Sequence, residues 1–295
     1  MISRIWWGRF AIFASEFFFY IASVTVRWAQ EAGWPLSSTL FVCVRFLVGF
    51  LAVSLVMLAK RQPPRPRRFP LLLGRAFFYV TAVFCFFKAV ETTTAAQGNI
   101  LNMTYPVFTV VFSWMIFRQQ RDVRLVGMTL VAFIGMVFVI APADVRMDWN
   151  MLWGLSSGVL TGFGVIFLNL ARQQNDTETV LFMVFGIGTA LLFALFRKEL
   201  AAMPTSPEAW MYLGGAGAAG VIGQYVMTFG SRYLSAVECS MISTTRILLA
   251  AFLGPMLTAD AALRSMGWIG AALILLANAY FIFTTIETKE HVTIT

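Results

Sequence analysis

Three charged side chains stand inside long apolar runs of this sequence and are the residues best placed to do chemistry: Glu16, Arg45 and Arg246. A charge in hydrocarbon costs about 2.5 to 3.5 kcal/mol on insertion scales, so each needs a partner or a wet cavity. A guanidinium can grip a carboxylate or phosphate through two parallel hydrogen bonds. Arg246 closes the polar stretch Ser243-Thr244-Thr245-Arg246 and reads as such a ligand, with Thr245 beside it. Arg45 reads instead as a structural clamp on backbone carbonyls or as a coupling residue. Glu16 has three open readings: a silent ion pair with either arginine, a site for a substrate amine, or a proton-exchanging carboxyl.

A second group is neutral. Asn99, Asn102 and Tyr105 recur at helical spacing; the two asparagines share a face, and Tyr105 is turned by about 60° from it. Pro106 follows directly and frees a backbone carbonyl near Asn102, which a cavity could satisfy. The wall they form is expected to bind solute, against the alternative of plain interhelical hydrogen bonding. Gln224 is a weaker binding candidate, and Lys88, at the end of an apolar run, is an interfacial anchor or coupling residue. Hydrolytic or metal chemistry has little to build on. The single histidine, His291, lies in a polar tail, and Cys43, Cys85 and Cys239 form no ligand pair. Neither an enzyme nor a cofactor or metal site is expected.

The elements that must position these residues are membrane spans. Of 295 residues, 59% are hydrophobic and 12% charged, against roughly 25% charged in an ordinary soluble domain. About ten stretches reach the roughly 20 apolar residues a spanning helix needs: Phe10 to Val26, Leu36 to Ala59, Leu71 to Val90, Thr94 to Phe117, Val123 to Ile140, Met151 to Leu170, Thr179 to Phe196, Ala209 to Leu234, Ala236 to Thr258 and Leu263 to Ile286. The first carries Glu16 and no clear cleavage site, so it is expected to be retained as a span. The formal net charge of +8 comes from basic clusters between apolar runs, which marks topology and not a nucleic-acid face.

Basic residues crowd the loops on the N-terminal side: Arg4 and Arg9, Lys60 to Arg68, Arg118 to Arg124, Arg172, Arg232 and Lys289. Both termini are therefore expected in the cytoplasm, with Arg197-Lys198 as the cluster against the rule. An odd number of spans on each side of the polar Ala141 to Asn150 loop makes the two halves insert with opposite orientation. Residues 1–145 and 146–295 are the expected repeats. Gly154, Gly158 and Gly162 form a ladder that means close helix packing and not a phosphate loop.

With Phe86-Phe-Lys-Ala-Val-Glu-Thr-Thr-Thr-Ala-Ala-Gln-Gly-Asn-Ile-Leu-Asn-Met-Thr-Tyr-Pro-Val, Arg45 in Val44-Arg-Phe-Leu, and the glycines Gly127, Gly135, Gly267 and Gly270, the chain resembles the EamA branch of the drug/metabolite transporter superfamily. It departs from that pattern at Phe117-Arg118-Gln119, where the family commonly has Glu, and in the ninth span, which has Arg246 but no proline matching Pro106. The resemblance implies an all-α membrane protein of about ten transmembrane helices in two inverted five-helix repeats. It implies a central cavity lined by the third, fourth, eighth, ninth, first and sixth spans, and export across the inner membrane. The expected function is a secondary carrier of small polar metabolites such as amino acids or related zwitterions. An organic-anion or lipid-headgroup carrier is the alternative, and a non-transporting receptor a further rival. Expected partners are the solute and the bilayer, with protons and a homodimer as candidates and no nucleic acid.

The topology is testable with a cysteine placed at Pro64 in the basic loop. An impermeant thiol reagent should reach it only after the membrane is opened, and labelling from outside intact cells would overturn the orientation.

Overall fold

The computed structural model describes residues 2–92, 101–116, 123–140, 149–200, 203–257 and 265–294, and all regular structure among them is helical. Asn99, Arg118 and most of the Ala141 to Asn150 loop lie outside the described residues. The longer helices are α1 (Ile2–Glu31), α2 (Ser38–Ala59), α3 (Phe69–Thr92), α4 (Tyr105–Ile116), α5 (Val123–Ile140), α6 (Met151–Arg172), α7 (Thr177–Leu195), α8 (Pro207–Gly230), α9 (Ala236–Ser243), α10 (Thr245–Leu257) and α11 (Ser265–Ile294), with a single helical turn at Arg197–Leu200 after α7. Six helical stretches are long and apolar enough to cross a membrane, with α9 and α10 counted together, and three shorter apolar helices lie in α4, α5 and α11. Glycine-rich α8 has the length, at 24 residues, but its glycines and Gln224 dilute its hydropathy. The chain is a multi-pass membrane protein.

Local chemistry sets the helix ends. Gly33, at φ 78°, lets Trp34 donate back to the Ala29 carbonyl at 3.0 Å and stops α1, the left-handed stop that glycine adopts without a Cβ penalty. Ser37 caps α2 by accepting from the Leu40 amide, and Asp176 caps α7 by accepting from Thr179 at 2.6 Å. Ser235 and Glu238 cap α9 reciprocally.

Two expected spans are not single helices. The chain makes a turn at Met103 and Thr104 before α4 begins, and another at Thr244 between α9 and α10. Thr104 Oγ1 donates to the Leu101 carbonyl at 2.6 Å, Thr244 Oγ1 to Met241 at 2.7 Å and Thr245 Oγ1 to Ile242 at 2.7 Å. These short hydroxyls compete with the helix ladder for its carbonyls. In the fourth span Pro106 adds the missing amide, whereas in the ninth the threonines suffice.

Packing pairs the two halves. Helix α1 packs on α8 and α3 on α6; α2 packs on α7 and α5 on α11; α4 rests on α6, and α9 and α10 on α1. Exchanging the first five spans for the second five leaves this list of pairs unchanged. The core sits where the halves meet and joins Ile12, Phe46, Val80, Tyr105, Phe185 and Ile247. Large apolar side chains such as Leu55, Leu58, Met115 and Met211 face outward, as lipid contact allows.

The glycine ladder of α6 explains how closely the fourth span approaches. A Cβ at Gly158 would lie 2.8 Å from the Leu101 carbonyl oxygen and one at Gly162 3.1 Å from the Thr109 amide. Backbone on the far side cannot move aside as a side-chain tip can. Gly158→Ala should therefore lower stability by about 1–3 kcal/mol, the usual cost of overpacking. Gly127→Ala, which meets nothing within 4 Å, should be neutral; equal thermal unfolding temperatures for the two variants in detergent would contradict this packing.

Candidate functional site

Glu16 and Arg246 meet across 230 residues of sequence, with Arg246 Nε donating to Glu16 Oε2 at 2.7 Å. Glu16 is wholly buried on the α1 face that also carries Ile12, Ser15 and Phe19, residues three to four apart and so stacked on one side. Arg246 is the second residue of α10, placed there by the break at Thr244. Asn278 of α11 holds that break from behind, donating to Thr244 Oγ1 at 3.0 Å. Glu16 Oε1 has no hydrogen-bond partner.

Tyr105 faces this pair from the other broken span. It opens α4, is 2% exposed, and lies close enough to Glu16, Arg246 and Ser243 to feel their charge and polarity. The two interrupted helices thus bring one residue each, Tyr105 and Arg246, near each other. Pro106 is buried beside Tyr105.

Phe19 links this pair to a second charged group. Its ring lies 5.3 Å from Arg246 Cζ and 5.3 Å from Arg45 Cζ, within cation–π range. Arg45 Nη2 donates to the Tyr79 hydroxyl at 2.8 Å and to the Gly220 carbonyl at 3.3 Å. A side chain at position 220 would come within 2.8 Å of Arg45 Nε, so glycine is what lets the guanidinium reach the α8 backbone. Arg75, one turn below Tyr79 on α3, is 2% exposed and stands over the Tyr79 ring with Cζ 4.4 Å from its centroid. Among the described residues neither Arg45 nor Arg75 has a carboxylate within ion-pair distance.

The other expected site residues separate. Asn102 Nδ2 donates to Ser157 Oγ at 2.6 Å and Thr161 Oγ1 at 3.5 Å, and Ser157 Oγ donates to the Ala82 carbonyl at 2.9 Å. Asn102 therefore ties the fourth span to α6 and, through Ser157, to α3, on a different side from Tyr105. Gln224 is 1% exposed and one turn from Gly220; its Nε2 donates to Thr228 Oγ1 at 3.1 Å and its Oε1 has no partner. Thr245 is spent on its own backbone. Lys88 is half-buried near the far end of α3.

Several charges read from the sequence as loop signals are structural. Arg9 lies inside α1, not before it, and pairs with buried Glu238 at 3.7 Å. Arg172 Nε donates to the Thr228 carbonyl at 2.7 Å, and its Nη1 to Asn175. The basic loop is pinned to the other half: Lys60 binds Glu178 at 2.5 Å, Tyr225 donates to the same oxygen at 2.8 Å, and the Arg67 amide donates to Asn175 at 2.7 Å. The Glu178 carboxylate, as hydrogen-bond acceptor and as charge, raises the Lys60 ammonium above its ordinary pKa. These helices outrun the apolar stretches, so basic residues at their ends find carbonyls and carboxylates instead of bulk water. Arg75 and Tyr79 were missed outright; the available signal was an arginine inside the expected third span. Among the described residues no cluster of His, Cys, Asp and Glu could hold a metal ion.

A model of the EamA-like transporter family matches the chain twice, over residues 6–141 and 148–283. An uncharacterized transporter of Helicobacter pylori strain J99 is 21% identical over 282 residues, covering 93% of this chain and 94% of its own. Mouse solute carrier family 35 member G1 is 25% identical over 135 residues, or 46% of this chain and 36% of that protein. A solved crystal structure superposes with a TM-score of 0.72 at 17% identity, covering 91% of this chain and 95% of the other, which shows a shared fold.

The Glu16 and Arg246 pair predicts a specific double-mutant cycle. Removing one partner of a buried pair typically costs about 3 to 5 kcal/mol because the other charge is left alone. Glu16→Gln should therefore lower the unfolding temperature in detergent, and Glu16→Gln with Arg246→Gln should recover much of the loss. Additive effects would show that the two residues do not depend on each other.

Proposed function

The chain belongs to the EamA-like transporter family, and on that premise we propose a secondary carrier of about ten spans, built from two inverted five-helix repeats within residues 1–145 and 146–295, that works by alternating access. The family match indicates a membrane transporter rather than an enzyme. Its solutes are small polar metabolites, moved out of the cytoplasm across the inner membrane with both termini inside. Export is carried by the family resemblance, and orientation by the positive loops Lys60 to Arg68.

The observation that carries this reading is the Glu16 and Arg246 contact at 2.7 Å. It joins α1 of one half to α10 of the other beside Tyr105 at the start of a broken helix, the arrangement carriers use for a site at mid-membrane. Motion of one half against the other must pull on this pair. Opening of the pair would expose the Glu16 carboxylate, and proton exchange there is the coupling step proposed for the carrier.

The expected zwitterion class needs a carboxylate free to receive an amine. Glu16 is already bound to Arg246, so a zwitterion would have to open the pair and replace each partner. One observation favours the organic-anion or headgroup alternative: Arg45 and Arg75 add positive charge with no described carboxylate to balance it.

Reconstitution into proteoliposomes tests the carrier reading. At least one polar solute from a panel of amino acids, dicarboxylates and phosphorylated metabolites should accumulate saturably above protein-free vesicles, and Glu16→Gln should lose the response to a pH gradient while keeping solute exchange. No flux of any solute under either pH gradient would contradict it.

A further inference from the structure

Arg75 is the residue that packing and topology leave unexplained. It is 2% exposed, seven residues into α3, with an Nε that has no hydrogen-bond partner. Its described surroundings are the Tyr79 ring at 4.4 Å, Gly164 of α6, and the like charge of Arg45. A guanidinium offers five donors and accepts nothing. A structural arginine in the membrane normally finds carbonyls or a carboxylate; Arg45 finds the Gly220 carbonyl, but Arg75 finds none among the described residues.

Charge sharpens the point. Arg45 and Arg246 flank Phe19, Arg45 and Arg75 meet at Tyr79, and Glu16 is held by Arg246. Two positive charges are left over at low dielectric, where like charges repel strongly. Tyr79 stands between them: its hydroxyl accepts from Arg45 Nη2 at 2.8 Å, so its own proton is free to donate. Arg45 Nε is likewise buried without a partner.

We infer that Arg45, Arg75 and the Tyr79 hydroxyl form the receptor for an anionic group, so that the solute carries net negative charge as a small dicarboxylate or phosphate ester. This rests on the carrier reading and gives it a substrate class. The receptor chemistry is common to a soluble anion and to the headgroup of an anionic lipid. Glu16 and Arg246 then lie beside the bound anion, where they can sense its arrival through Phe19 and are not its primary contacts.

Binding to the purified full-length protein in neutral detergent tests the inference apart from transport. The probes are succinate, glycerol 3-phosphate, L-alanine and phosphatidylglycerol in mixed micelles, read by thermal shift and calorimetry. Succinate or glycerol 3-phosphate should raise the unfolding temperature saturably and L-alanine should not; a shift with phosphatidylglycerol alone assigns the site to a lipid headgroup. Arg75→Gln should weaken the bound anion by about tenfold or more, while the ligand-free variant unfolds at the same temperature as the wild type or higher, because an uncompensated charge has gone. Tyr79→Phe, which keeps the ring and loses only the hydroxyl, should also weaken binding and remain folded. A sharp fall in the ligand-free stability of Arg75→Gln, or anion binding that survives both substitutions, would overturn the receptor. Alanine flux in vesicles with no anion binding would sink this site and leave the carrier, whereas anion binding with no flux would sink the carrier and leave the site.

Discussion

A wholly buried carboxylate in hydrocarbon persists only because a guanidinium stands 2.7 Å from it. Taking either charge out of water alone costs several kcal/mol, so the contact between Glu16 and Arg246 fixes where α1 and α10 must lie. The rest of the middle of the molecule follows from that requirement. Arg246 can present its Nε only because the ninth span breaks at Thr244, and the break is held by hydroxyls that bond backward and by Asn278 from α11. Tyr105 comes near the pair through the matching turn before α4.

Close backbone approach supplies the second constraint. Lipid tails are as apolar as leucine, so helices in a bilayer associate through van der Waals contact and small residues. Gly158 and Gly162 bring the fourth span onto α6, and Gly135 meets Gly270 where α5 crosses α11. The charged contacts lie elsewhere, at the centre and at the end where Arg9 and Lys60 bind across the halves and Arg172 ties α6 to α8. Apolar faces joined by small residues can slide at little cost. Ion pairs hold discrete positions, which suits the proposed alternating access.

The sequence made the class of the fold legible because lipid imposes a simple rule: every span must be about 20 apolar residues long. It also marked Glu16 and Arg246, since a charge inside such a run stands out. Their pairing was not legible, because nothing local reports a partner 230 residues away. Asn102 and Tyr105 were read as one wall, yet the drift between them sends Asn102 to Ser157 and Tyr105 toward Arg246. Arg75 was passed over although it lies inside the expected third span, a few residues after the basic loop Lys60 to Arg68. Only its burial against Tyr79 separates it from that group.

These contacts give the proposed carrier a physical core: a charged centre with a pair whose partners belong to the two segments that match the family, residues 6–141 and 148–283. Accessibility at that centre is the most direct measure of it. A single cysteine at Ser243, a buried position beside Tyr105, in protein whose Cys43, Cys85 and Cys239 have been replaced, can be challenged with impermeant thiol reagents from either side of sealed vesicles. The account predicts reaction from both sides, never through an open pore, and protection on both sides by the transported solute. Reaction from one side alone under every condition, or from neither, would contradict it.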